Sequence, residues 1–151
     1  MKPGDTVADF ELPDQTGAPR QLSSLLADGP VVLFFYPAAG TPGCTREACH
    51  FRDVAAEFAA VGASRVGISV DPVAKQAQFA ASHGFDFPLL ADTEHKVSET
   101  YGVFNATRSY DNRTTFLIDP SGRIVKVFTR VNPNVHSGEV QQALKEAQAT
   151  P

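Results

Sequence analysis

The chain reads as an α/β fold, a mixed central sheet flanked by helices, and three observations carry that reading. The stretch "PVVLFFYP", Pro30 to Pro37, is a continuous apolar run with no alternation, as expected of a strand covered on both faces. Strand-like runs then alternate with helical patterns through the middle of the chain, the order of an α/β sheet. Finally, "DPSG" between "TTFLID" and "RIVKVFTR" has proline at the second turn position and glycine at the fourth. That hairpin adds an antiparallel pair and makes the sheet mixed.

Each element follows in order. "DFELPDQTGAPRQL" predicts a β-hairpin, with a short strand near Phe10 and a turn over Asp14 to Gly17. The apolar strand runs from Val31 to Tyr36. From Cys44 to about Ala60 the spacing of Ala48, Phe51, Ala55 and Phe58 predicts one helix. Ser64 to Val70 is the next strand. Asp71 is placed to cap a helix with Pro72 at its first position, and His83-Gly84 ends that helix. "FPLLAD" is a short strand, followed by a short helix through Val97 and Tyr101 that stops at Gly102. After the "DPSG" hairpin, a final helix following Ser137 buries Val140, Ala143, Leu144 and Ala147. This order fits a thioredoxin-like fold with an N-terminal β-hairpin extension, and 151 residues predict a single domain over 1–151.

Composition narrows the function classes. With 42% hydrophobic and 20% charged residues, the chain can bury a core and is ordinary for a globular domain. A net charge of −4 gives no basic surface for nucleic acid or an anionic membrane. The longest apolar run is far too short to span a bilayer. The N-terminus "MKPGDTVADFEL" lacks the apolar stretch of an export signal, so the expected compartment is the cytoplasm.

The chemistry concentrates in "FFYPAAGTPGCTREACH", which holds the only two cysteines, Cys44 and Cys49. Cys44 follows Thr41-Pro42-Gly43 at the start of a helical pattern, where free backbone N–H groups and the positive helix end favour an anion such as a thiolate. It also continues the apolar stripe of its helix, so its sulfur leans toward the fold. A plain buried cysteine is the competing reading, and the proline- and glycine-rich strand-to-helix loop speaks against it. Cys49, five residues on, points about 140° away in an intact helix, with its Cα roughly 8 Å from that of Cys44. That exceeds the ~7 Å reach of a disulfide, so the thiols can join only if the first helical turns open. A metal site is disfavoured, since His50, His83, His95 and His136 show no ligand spacing and read as surface or capping residues. A cysteine hydrolase would need one of these histidines beside Cys44; His50, six residues along the same helix, is badly placed, and the fold would have to bring another near.

Within "YPAAGTPGCT", Pro37-x-x-x-Thr41-x-x-Cys44 resembles the peroxiredoxin active-site motif, and "TPGCTREACHFRD" resembles the bacterioferritin-comigratory-protein or Q-type subgroup. "GDTVADFELPDQTG", "VGISVDP", "FPLLAD", "YGV" and "RTTFLIDPSGRI" extend the resemblance over most of the chain. It implies that Cys44 is the peroxidatic thiol and Cys49 the resolving thiol. It further implies that Thr41 turns its hydroxyl toward thiolate and peroxide, that Pro37 walls the pocket, and that Arg113 reaches the sulfur and the peroxide oxygens. Backbone N–H groups near Gly43 and Cys44 would join Thr41 and Arg113 in stabilising the charge that develops on the departing oxygen. A surface ion pair with Asp111 is the competing fate of Arg113, and Arg108 and Arg123 compete for its role. Gly40 departs from the family pattern, and its tolerance of positive φ predicts a differently bent loop.

The implied activity is reduction of hydrogen peroxide and organic hydroperoxides through a cysteine sulfenic acid. An intramolecular Cys44–Cys49 disulfide would follow, reduced by a dithiol partner such as thioredoxin. No metal or organic cofactor is implied. No long C-terminal dimerisation arm is recognisable, which favours a monomer. The alternatives are a thiol–disulfide reductase, disfavoured by the missing C-x-x-C, and a non-enzymatic redox-sensing module.

Overall fold

The computed structural model describes residues 1–129, 131–133 and 136–149, with side chains as far as Glu146. A hairpin of β1 (Glu11–Pro13) and β2 (Pro19–Gln21) opens the chain, tied at its turn by the Asp14 carboxylate. The central sheet contains β3 (Val31–Phe35), β4 (Ser64–Ser69), β5 (Leu89–Ala91), β8 (Thr114–Ile118) and β9 (Ile124–Phe128) in the order β5-β4-β3-β8-β9. β3, β4 and β5 are parallel, whereas β8 runs antiparallel to β3 and β9 antiparallel to β8. The mixed sheet expected from "DPSG" is therefore present, its turn closed by Asp119, which accepts from Ser121 and from the Arg123 N–H.

β3 explains why its sequence has no polar face. All five of its residues are fully buried, Val32 and Phe34 in one core cluster and Val31, Leu33 and Phe35 in the other. Helices α2 (Pro42–Asp53), α3 (Ala55–Ala60), α4 (Val73–His83) and α6 (His136–Ala149) supply buried residues to the first cluster. Helices α1 (Leu22–Leu26) and α5 (Lys96–Thr100) supply the second. Gly67 of β4 marks a close approach: a Cβ there would lie 2.8 Å from Leu89 and 2.9 Å from Phe34.

Several expectations change. The helix expected from Cys44 to Ala60 is two helices, interrupted at Val54 where the backbone leaves helical geometry. Asp71 does not cap α4, whose N-cap is Pro72. Its carboxylate instead accepts from the Ala39 N–H at 2.7 Å and the Ser69 hydroxyl at 2.7 Å. The short helix α1 carried no sequence signal beyond Leu22 and Leu26. The polar stretch after Val103 forms a small hairpin of β6 (Phe104–Asn105) and β7 (Tyr110–Asp111). Val140, Ala143 and Leu144 of α6 are buried as expected, and the side chain of Ala147 lies outside the described residues.

Candidate active site

The loop leaving β3 decides where the first cysteine goes. Pro37 follows the sheet and is half-buried, and Gly40 adopts φ +82, the bend that glycine allows. Asp71 holds the loop at the Ala39 N–H. Thr41 then acts as N-cap with extended backbone, and Pro42 takes the first helical position, where its missing N–H costs nothing. Cys44 becomes the third residue of α2, among the backbone N–H groups that lack helical partners.

Cys44 is 1% exposed, and its sulfur receives a hydrogen bond from Arg113 Nη2 at 3.3 Å. Arg113 comes from just before β8, so the antiparallel pairing of β8 with β3 carries it across to the N-terminal turn of α2. Gly43 leaves room for it, since a Cβ there would lie 3.1 Å from Nη2. The other guanidinium nitrogen, Nη1, donates to Glu47 Oε1 at 3.1 Å. Asp111 does not engage Arg113; it is buried in its own surroundings, and Arg108 and Arg123 are exposed.

Glu47 is the residue the sequence reading missed. It is 1% exposed, and burial pushes its carboxyl up to about 7 against the lowering influence of Arg113. Its second oxygen, Oε2, has no partner among the described residues. The signal was available: position 47 lies one turn before Phe51, so a carboxylate occupies the core-facing stripe of α2. The arrangement places an always-charged guanidinium between a buried carboxyl and a sulfur at a helix N-terminus.

Thr41 is placed differently from the expectation. Its hydroxyl donates to the Ala38 carbonyl at 2.9 Å, closing the loop, and the residue is exposed. Cys49 is half-buried against the edge of the first core cluster, and both cysteines are free thiols within one intact helix. His136 corrects the reading of all four histidines as surface or capping residues. It is fully buried, with Nε2 2.7 Å from the Thr115 hydroxyl, and burial holds its imidazole below the usual range. Among the described residues, no helix is long and apolar enough to cross a membrane.

This chain and its fold match known proteins over most of their length. The AhpC/TSA family model matches residues 3–127, and the chain belongs to that family. A putative peroxiredoxin of Mycobacterium tuberculosis is 62% identical over 132 residues, covering 85% of this chain and 86% of the relative. Peroxiredoxin Bcp of Bacillus subtilis is 38% identical over 149 residues, covering 95% and 94%. Among solved structures, peroxidoxin BcpB from Mycobacterium tuberculosis superposes with TM-score 0.92 at 56% identity, covering 97% of each chain. PrxQ of Xylella fastidiosa gives TM-score 0.92 at 30% identity, covering 98% of each. The thioredoxin-like fold expected from the element order is thus the fold observed, and the enzyme class is that of thiol-dependent peroxidases.

Proposed function

We propose that Cys44 is the peroxidatic thiol, that Cys49 resolves it, and that Arg113 positions and activates the peroxide. The observation that supports this most directly is the 3.3 Å contact between Arg113 Nη2 and Cys44 Sγ in the first turn of α2. The Cys44 thiolate attacks a peroxide oxygen; the S–O bond forms, the O–O bond breaks, and the departing oxygen leaves as water or alcohol once protonated. Negative charge grows on that departing oxygen, and fixed donors from Arg113 and the N–H groups of Gly43 and Cys44 stabilise it without reorganisation. Thr41 joins them when its hydroxyl turns from the Ala38 carbonyl toward substrate, and Pro37 shields the sulfur from water.

The sulfenic acid then meets Cys49. The Cys49 thiolate attacks the Cys44 sulfur, the S–S bond forms, and the S–O bond breaks with loss of water after protonation. Because both residues sit in one helix, this step requires the turns of α2 that carry them to open. An external dithiol, thioredoxin or a protein like it, returns two electrons and two protons. A monomeric, single-domain enzyme over 1–151 working in the cytoplasm fits this cycle, since that compartment keeps thiols reduced. Hydrogen peroxide and organic hydroperoxides are the substrate class; a solved bacterioferritin comigratory protein of Xanthomonas campestris, at TM-score 0.86 and 29% identity, is described in terms of alkyl peroxide reduction.

The test is rapid-mixing measurement of peroxide consumption by the reduced protein beside its Cys44→Ser variant. The expected result is a rate orders of magnitude above that of a free thiol, abolished in the variant. A rate equal to that of an exposed thiol would overturn the assignment. Cys49→Ser is expected to stop at the sulfenic acid with no intrachain disulfide, as read by mass after alkylation.

A further inference from the structure

The two ends of α2 are held differently, and Cys49 lies between them. At the N-terminal end, Arg113 bonds to Cys44, the atom whose chemistry changes during turnover. At the C-terminal end, Phe51 is fully buried and stacked on Phe34 with ring centroids 4.7 Å apart. The Phe51 carbonyl accepts from Arg65 Nη1 at 2.6 Å, and Arg65 is itself paired with Asp86 at 2.7 Å. Phe51 and Arg65 thus anchor that end to the core.

Arg52 makes a further connection. It stands three residues after Cys49, on the same face of α2 and close enough to interact with it electrostatically. Its Nη1 donates to the His83 carbonyl at 2.7 Å, and its Nε bonds Asp53 at 2.9 Å. His83 is the last residue of α4, so this carbonyl has no partner within its own helix and lies at the negative end of the helix dipole. A guanidinium there makes a charge-assisted clasp between two helices.

We propose that Arg52 is a positioning residue for resolution: its clasp on the His83 carbonyl holds the Cys49 face of α2 against α4, and release of that clasp limits how fast Cys49 reaches oxidised Cys44. This rests on the reading that Cys49 resolves Cys44. A slow release lengthens the life of the sulfenic acid and exposes it to a second peroxide, which carries it to the sulfinic acid. Arg52 thereby sets the balance between turnover and over-oxidation.

The experiment compares wild type with Arg52→Ala, Arg52→Gln and Arg52→Lys by rapid quench into an alkylating agent, followed by mass measurement. Free thiol, sulfenic, disulfide and sulfinic forms are then read against time. Arg52→Ala and Arg52→Gln are expected to form the disulfide roughly three- to tenfold faster, with a lower sulfinic fraction at fixed peroxide. The rate of Cys44 oxidation stays at the wild-type value, which a general loss of structure would not leave untouched. Arg52→Lys, which keeps a cationic donor, returns the disulfide rate toward wild type. An unchanged rate in the alanine and glutamine variants would overturn the proposal. A slower rate would overturn it too, and would give the Arg52 charge the different task of favouring the Cys49 thiolate. If wild type consumes peroxide without forming a Cys44–Cys49 disulfide, the assignment of Cys49 fails first and this proposal falls with it.

Discussion

Glu47 and Asp111 are both withdrawn from water and both pushed up to about 7, yet their surroundings are opposite. Glu47 faces the Arg113 guanidinium at 3.1 Å, and only its second oxygen is unpartnered. Asp111, two residues before Arg113 in sequence, has no hydrogen-bond partner for either oxygen among the described residues. Burial raises it first, and the charges of Asp92 and Asp71 add to the rise; the nearby Ser98 hydroxyl lowers it only in part, since it donates to Asp92 at 2.8 Å. Desolvation therefore sets the level in both places, while the partner decides what the carboxyl can do. Beside Arg113, Glu47 holds a guanidinium on the sulfur. Asp111, among other carboxylates, is a cost that the packing of the β6–β7 hairpin carries.

Removing the shared cation should produce the largest effect. Arg113→Met takes the donor from Cys44 and the counter-charge from Glu47 together, and a loss of about 100-fold or more in the Cys44 oxidation rate is expected in rapid mixing. An effect below about threefold would mean that the 3.3 Å contact has no catalytic consequence.

Asp111→Asn tests the unpaired member. Its folded carboxyl, at about 7, lies above the ordinary value of 3.8. Between those values the folded protein keeps a proton that the unfolded chain releases, so stability falls as pH rises through that window. The asparagine has no charge to bury. It should stabilise the protein at pH 8, by roughly 4 kcal/mol in urea unfolding less what the unpartnered amide costs, with the ionisation part of the gain shrinking toward zero near pH 4. A gain that did not vary with pH would assign the benefit to packing rather than ionisation.

Glu47→Gln is expected to act on the reaction more than on the fold. The amide can still accept from Arg113 but no longer fixes it by charge, and about a tenfold fall in the oxidation rate is expected with little change in melting temperature. The smallest effect is expected from Gly43→Ala. Its Cβ would lie 3.1 Å from Arg113 Nη2, which a flexible side chain can relieve, so a two- to fivefold loss in the same assay is expected.

How far the sequence could be read depended on whether a signal was local. The "PVVLFFYP" strand, the "DPSG" turn and the glycine that ends α4 are set by backbone preference and apolar pattern, and they appear where expected. The break at Val54 was not visible because apolar spacing continues across it from Phe51 to Phe58. Asp71 carried a sound helix-cap signal, but a stronger use for its carboxylate lay across the sheet at the Ala39 N–H. His136 looked like a surface residue because its partner Thr115 is 21 positions away.

By itself, then, the sequence determined the order of strands and helices, the helical start at Cys44, and the separation that keeps Cys49 from bonding to it while α2 is formed. These follow from backbone geometry within a few residues. Only the tertiary structure decided that Arg113 reaches the sulfur, that Glu47 holds it, that Asp71 pins the loop, and that Arg52 and Arg65 fasten the far end of α2. Each of those depends on a charged or polar group finding its partner across the sheet or on another helix, 31 or more positions away for Arg52, Asp71 and Arg113. A side chain's own neighbours in sequence carry no record of that partner. Burial makes the pairing consequential, because a charge or hydrogen-bonding group removed from water must be satisfied by whatever the fold brings beside it.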